Sequence, residues 1–477
     1  MAGDELAGSG RSEHSPGFAG RAVLRISAIE FWERYSFYNM FALLPLFISA
    51  PTAKGGLGWT DAQALGFFGV YLLSVQLAPL IGGYVTDRWL RGGRAITLGS
   101  LSLMLGHGLL AMATLAPWLS RRAMAPWLDR TDSRLGEWAA PPGLPASLHT
   151  PYLVTTLCFF GAVFFVALGN GLFKPVLSVV VGRLPHASPG ARDRAFTTYF
   201  LFINMGGILS TLLGGWLSQT LGWGWAFAAA AAGMAVALMV LARYNRAYIR
   251  PFAALEGRGL SSAESSADRD LSFVLPVALL LAIVIVGGIC SYQSYGFVSL
   301  FTARLVDRNV GGFLIPPSWF TAVNPITIML VTPIVMRWWA RGGLGHNWSP
   351  TTKYASAFFL MALAFLALTS ASVQAHTGAK ASPVWIFFSI AIIAVTELIV
   401  APATLSAMSR LPPPGRQNLT MGAYAAAMGV GAWLSGKLGA GIMGPQMTPA
   451  LGGLIGVCIT CGTFLVLLRR PLARLGI

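Results

Sequence analysis

The stretch Glu30-Phe31-Trp32-Glu33-Arg34-Tyr35-Ser36-Phe37-Tyr38 puts two carboxylates and a guanidinium inside an apolar run from about Val23 to Ile48. About 20 such residues span a bilayer, so these charges stand where lipid belongs. An ionised side chain at that depth costs roughly 2.5–3.5 kcal/mol on insertion scales. It must face protein or water and find a partner. At helical spacing Glu30, Arg34 and Tyr38 share one stripe, with Glu33 and Phe41 beside it. A helix with one wet, ionisable stripe lines a cavity. The chemistry open to it is proton exchange and the recognition of a charged solute.

Three more charged residues fall in apolar runs: Lys174, Glu397 and Lys437. Lysine is scarce, five against 28 arginines, which sets Lys174 apart in Gly169-Asn-Gly-Leu-Phe-Lys174-Pro175. Pro175 is expected to kink its helix, and Gly169 and Gly171 allow close approach. Glu397 follows Thr396, with Pro402 a turn beyond. If the two halves of the chain are pseudo-symmetric, Lys174 and Glu397 face each other across the cavity. They would then form an inter-half salt bridge that a proton or a substrate charge can break. Lys437 lies near the end of its span and reads as snorkelling to the interface. His107, in Gly106-His-Gly108, reads as a packed core residue, with a proton relay as the alternative. Asn204, Gln293 and Asn324 could hydrogen-bond a ligand or tie helices together, and Tyr71 and Gln76 have the same two roles open.

The elements that position these residues follow from composition. The 477 residues are 55% hydrophobic and only 10% charged, against about 25% charged in an ordinary soluble chain. This is an all-α, polytopic membrane protein of about twelve spans, with no visible cleavable signal peptide. Residues 1–20 form a polar tail, 21–244 a first six-helix bundle, 245–270 a polar linker and 271–477 a second six-helix bundle. With both termini inside, inner segments hold 22 lysines and arginines and outer loops eight, so the termini are expected in the cytoplasm. A bacterial source would place the protein in the inner (plasma) membrane. The net charge of +16 then meets anionic lipid, and nucleic acid is not an expected partner. Arg88-Trp-Leu-Arg-Gly-Gly93 and Arg337-Trp-Trp-Ala-Arg-Gly-Gly343 echo each other after the second and eighth spans. Cys158, Cys290, Cys458 and Cys461 all lie in apolar runs. No disulfide is expected, and Cys458-Ile-Thr-Cys461 reads as packing.

Glu30-x-x-Glu33-Arg34-Tyr35-x-Phe37-Tyr38 resembles the first-helix signature of the proton-dependent oligopeptide transporters, a branch of the major facilitator superfamily. Similar matches follow in order: Gly82-Gly-Tyr-Val-Thr-Asp87-Arg88, the helix-four Lys174-Pro175 motif, and Tyr199-Phe200-Leu-Phe-Ile203-Asn204-Met-Gly206. Ser318-Trp319 with Asn324-Pro325, and Glu397 with Pro402 and Leu411-Pro412, complete the set. The resemblance implies proton-driven import of di- and tripeptides by a twelve-helix, two-bundle fold, with the proton gradient as energy source and no cofactor or metal. It implies proton coupling at Glu30, Glu33, Arg34, Lys174 and Glu397. Substrate contacts would come from Tyr38, Tyr71, Lys174, Asn204, Gln293, Asn324 and Glu397. The substrate carboxylate would lie near Lys174 and its amino group on Glu397, in a carrier that functions as a monomer.

The chain departs from the family at three points. Phe41 stands where a second helix-one arginine is common, and Tyr292 where an acid precedes the helix-seven glutamine. Their joint absence removes one gate bridge. Val176 replaces the asparagine after Lys174-Pro175, which takes away a carboxylate clamp. The linker is too short for the two extra helices of some bacterial members. An efflux antiporter for amphiphilic compounds is therefore the main alternative. A non-transporting sensor is another, and no nucleophile–base set points to an enzyme.

Overall fold

The computed structural model describes residues 18–90, 92–119, 149–184, 189–249, 273–343, 348–413, 416–444 and 446–475. Most of the expected N-terminal tail, of the loop between the third and fourth spans, and of the 245–270 linker lies outside the described residues. The first six helices are α1 (Phe18–Ser49), α2 (Asp61–Arg88), α3 (Gly92–Leu119), α4 (His149–Arg183), α5 (Pro189–Thr220) and α6 (Trp223–Tyr244). A π-helical turn, Asn245–Ile249, prolongs α6. The seventh span is broken. α7 (Val274–Ser291) gives way to a 3-10 turn at Tyr292–Ser294, and α8 (Phe297–Leu305) resumes the helix. A two-residue hairpin, β1 (Asn309–Val310) with β2 (Phe313–Leu314), turns on Gly311 and Gly312 at φ 59° and 87°. Then come α9 (Val323–Ala340), α10 (Pro350–His376), α11 (Pro383–Arg410), α12 (Gln417–Ile442), α13 (Met447–Leu467) and α14 (Arg469–Arg474).

Ten helical segments among the described residues are long and apolar enough to cross a membrane. α1 and α12 are 32 and 26 residues long and complete the spanning set in length. Phe47, Phe159 and Phe227 centre one hydrophobic core, built almost entirely from α1–α6. Phe297, Phe358 and Phe365 centre a second, built from the later helices.

Lipid tails are as apolar as leucine, so helices in a bilayer associate by close packing of small residues. α2 meets α12 across Gly69 and Gly436, where a Cβ added to Gly436 would come within 2.7 Å of the Gly69 Cα. α2 meets α4 at Gly82 and Gly171, and α3 meets α4 at Gly99 and Gly169. Gly436→Leu forces α2 and α12 apart. It is expected to cost about 1–3 kcal/mol, as overpacking of a close interface does, read as a lower midpoint of thermal unfolding in detergent.

The two halves are joined most firmly at the end where α1 finishes and α2 begins. Arg304 on α8 reaches Asp61 at 3.0 Å and donates to the Ser49 carbonyl at 3.1 Å. Gln219 donates to the Leu314 carbonyl at 2.6 Å, and the Trp319 indole to that of Leu212 at 2.8 Å. At the other end α4 packs on α2 and α3, and α11 on α9 and α10, with no packed interface between α4 and α11. The molecule is closed at the Asp61 end and parted at the Arg88 end.

Candidate functional site

Between the halves lies a cavity of about 330 Å³. The Glu-Glu-Arg cluster sits at its wall because α5 comes unusually close to α1. A Cβ at Gly206 would lie 2.4 Å from the Phe31 carbonyl and 3.1 Å from the Arg34 Cβ. Arg34 is 6% exposed and Glu33 fully buried. The guanidinium grips Glu33 with two hydrogen bonds, Nη2 to Oε1 at 2.7 Å and Nε to Oε2. Its Nε also lies 3.3 Å from Glu30 Oε1, and its Cζ stands 4.5 Å over the Phe37 ring. The Tyr199 hydroxyl on α5 hydrogen-bonds Glu30. One cation is thus held by two carboxylates, and the excess negative charge makes the cluster a place where a proton can be taken up.

Lys174 and Glu397 both line the cavity, as expected, but the inter-half salt bridge is not made. Lys174 Nζ donates to Gln76 Oε1 at 3.5 Å, and Glu397 Oε2 accepts from Asn324 Nδ2 at 3.1 Å. The reason lies in the fold: α4 and α11 stand apart at the open end, so each charge turns to a neutral neighbour. Gln76 passes the contact on, its Nε2 donating to the Tyr292 hydroxyl at 3.1 Å. A chain of polar groups therefore runs from α4 through α2 to the break after α7.

The other expected contacts divide. Tyr38 is on the wall. Asn324 stands behind Glu397 and orients it. Three residues expected at the substrate are off the wall. Tyr71 is buried against Phe68, and its hydroxyl has no hydrogen-bond partner among the described residues. Asn204 turns its amide back to the Phe200 carbonyl, 2.9 Å away on its own helix. Gln293 donates to the Ser435 carbonyl at 3.0 Å and ties the α7 break to α12. All three hold helices rather than face the cavity. Lys437 is exposed, and His107 is buried with neither ring nitrogen hydrogen-bonded among the described residues. Cys458 packs against Cys290, sulfur to sulfur 3.6 Å.

Sequence spacing missed the aromatic wall. Phe41 meets Tyr295 edge-on across the two halves at 5.3 Å, and Tyr354 and Tyr424 line the cavity from α10 and α12. The only signal for them was a hydroxyl on an otherwise apolar span. Where the resemblance places a charge pair at positions 41 and 292, this chain has an aromatic contact and a neutral hydrogen bond.

Comparison with known proteins fits this geometry. The chain is 28% identical to the Peptide transporter YePEPT of Yersinia enterocolitica, over 94% of this chain and 93% of that one. It is 25% identical to a Di-/tripeptide transporter of Lactococcus lactis subsp. cremoris, over 95% and 96%. A point variant of peptide transporter POT, solved in complex with alafosfalin, superposes with a TM-score of 0.79 over 95% of each chain at 22% identity, so the fold is shared. The POT family model matches residues 93–251 and 264–446, well over half of the chain, and the protein belongs to that family.

Proposed function

We propose that the chain is a proton-coupled importer of di- and tripeptides, or of related small solutes carrying an amine and a carboxylate. It works by alternating access. One observation carries this reading: a single cavity presents two cations from the first half, Arg34 and Lys174, and one carboxylate from the second, Glu397. A zwitterion a few ångströms long can satisfy both sides at once, its carboxylate on Arg34 and Lys174 and its ammonium on Glu397. Tyr38 and the aromatic wall would take its side chains. Similarity to the Yersinia and Lactococcus transporters supports peptides as the solute.

With both termini inside, as the lysine and arginine distribution favours, the closed Asp61 end faces out and the parted end faces the cytoplasm. The bundles 21–244 and 271–477 then rock about the α2–α12 contact. A ligand shifts that equilibrium only by binding the two states differently. A proton does so by neutralising Glu30 or Glu33, which loosens the hold on Arg34 and frees it for the substrate carboxylate. When the substrate leaves, Lys174 and Glu397 can close on each other and reset the carrier. The protein works as a monomer in the lipid bilayer with protons and short peptides as partners, and the proton gradient replaces any cofactor.

The aromatic wall favours a second reading, export of amphiphilic cations in exchange for protons. Proteoliposomes separate the two. An inside-alkaline gradient is expected to drive accumulation of a labelled dipeptide, and Lys174→Ala to abolish the response to the gradient while slow counterflow survives. Gradient-driven accumulation by Lys174→Ala equal to the parent's would remove Lys174 from coupling. Accumulation of an amphiphilic cation against an outward proton gradient, with no dipeptide uptake, would establish the export reading.

A further inference from the structure

From Asn309 to the C-terminus the chain carries ten lysines and arginines and a single acid, Glu397. That acid is committed to the cavity. The cations at the parted end of the second half therefore have no carboxylate of their own to meet. α9 finishes on two of them, Arg337 and Arg341, one helical turn apart and both exposed. Neither makes an ion pair among the described residues. They border a shallow niche of about 510 Å³ with Ile334, Trp338 and Gly343.

The turn after α9 builds this niche. Gly342 takes φ 71°, and the Gly343 amide donates back to the Trp338 carbonyl at 2.9 Å. The Trp338 indole occupies the room a side chain at 343 would need, since a Cβ there would fall 1.3 Å from its Cδ1. Below the niche, Leu330, Ile334 and Trp338 recur every four residues and are 64%, 59% and 54% exposed. They form an apolar ridge that runs from the two guanidinia into the membrane. The equivalent arginine after α2 is occupied: Arg88 donates to the Tyr84 hydroxyl at 3.0 Å.

We propose that this niche binds an anionic phospholipid of the inner leaflet, its phosphate held between Arg337 and Arg341 and an acyl chain laid along the Leu330–Ile334–Trp338 ridge. Guanidinium forks match phosphate oxygens, and tryptophan settles at the headgroup level. The ridge selects a lipid over free phosphate, which would leave it bare. The site is separate from the transport cavity and takes from the transport reading only its orientation, termini inside.

The test is native mass spectrometry of the full chain in detergent, titrated with phosphatidylglycerol or phosphatidylcholine. Arg337→Gln/Arg341→Gln is expected to bind phosphatidylglycerol roughly thirtyfold more weakly, the loss expected for two basic side chains at a membrane surface. Arg469→Gln/Arg470→Gln removes the same charge elsewhere on that face and is expected to bind like the parent. Trp338→Ala leaves every charge in place, guards against a variant that fails to fold, and is also expected to weaken lipid binding. Equal losses in the two double variants, phosphatidylcholine bound as tightly as phosphatidylglycerol, unchanged binding by Trp338→Ala, or displacement by millimolar inorganic phosphate would each overturn the proposal.

Discussion

Uptake of a free-amine dipeptide should fall by about 30-fold to several thousandfold in Glu397→Ala, the range spanned by truncating one member of a buried charge pair. Glu397 is the only carboxylate on the cavity wall among the described residues, and Asn324 fixes its Oε2 at 3.1 Å. Removing it leaves a substrate ammonium in an aromatic chamber with no counter-charge. Glu397→Gln keeps the side-chain length and an oxygen for Asn324 but loses the charge, so it should fail nearly as badly. An N-acetylated peptide isolates the cause, because it has no ammonium to pair. Parent and variant should transport it equally poorly in counterflow. If Glu397→Ala discriminates against the N-acetylated peptide as strongly as the parent does, the ammonium is held elsewhere and the assignment of Glu397 fails.

The charges were legible in the sequence because they violate the bilayer's composition rule, and a violation is visible without knowing which way a helix faces. Glu30, Glu33, Arg34, Lys174 and Glu397 are all where that argument expects them, at the cavity or directly behind its wall. The neutral polar residues were not legible. In a soluble protein an amphipathic pattern identifies the buried face, but a spanning helix is apolar towards both lipid and protein. Tyr71 and Gln76 are five residues apart on α2, about 140° around the helix. Nothing in the spacing says that Gln76 faces the cavity and Tyr71 the packed side. Asn204 was misleading for a different reason. Its amide is satisfied by the carbonyl one turn back, a local bond that needs no ligand and leaves no trace in composition. The missing Lys174–Glu397 bridge has a third cause. Pairing of two charges on opposite halves depends on the conformation as well as on the sequence, and here the ends of α4 and α11 are apart.

Arg34→Leu should be the most damaging substitution for stability. It strands Glu33, which is fully buried, and Glu30, which is 6% exposed, with no guanidinium between them. Breaking a buried pair by removing one partner costs about 3–5 kcal/mol, most of it the desolvation of the charge left behind. The sign of the pH dependence follows from the same geometry. In the parent, acid protonates carboxylates that the arginine holds ionised, so acidification loosens the cluster. In Arg34→Leu the carboxylates have lost that partner, so acidification relieves a buried charge and should raise the unfolding midpoint relative to neutral pH. The triple variant Glu30→Gln/Glu33→Gln/Arg34→Leu removes the stranded charges and should recover most of the lost stability while remaining inactive in gradient-driven uptake. Thermal unfolding in detergent across pH 5–8 reads all three. Were Arg34→Leu as stable as the parent at neutral pH, the two carboxylates would have to reach water or other cations. Arg34 would then be a cavity ligand alone, without the link between proton and substrate that its double grip provides.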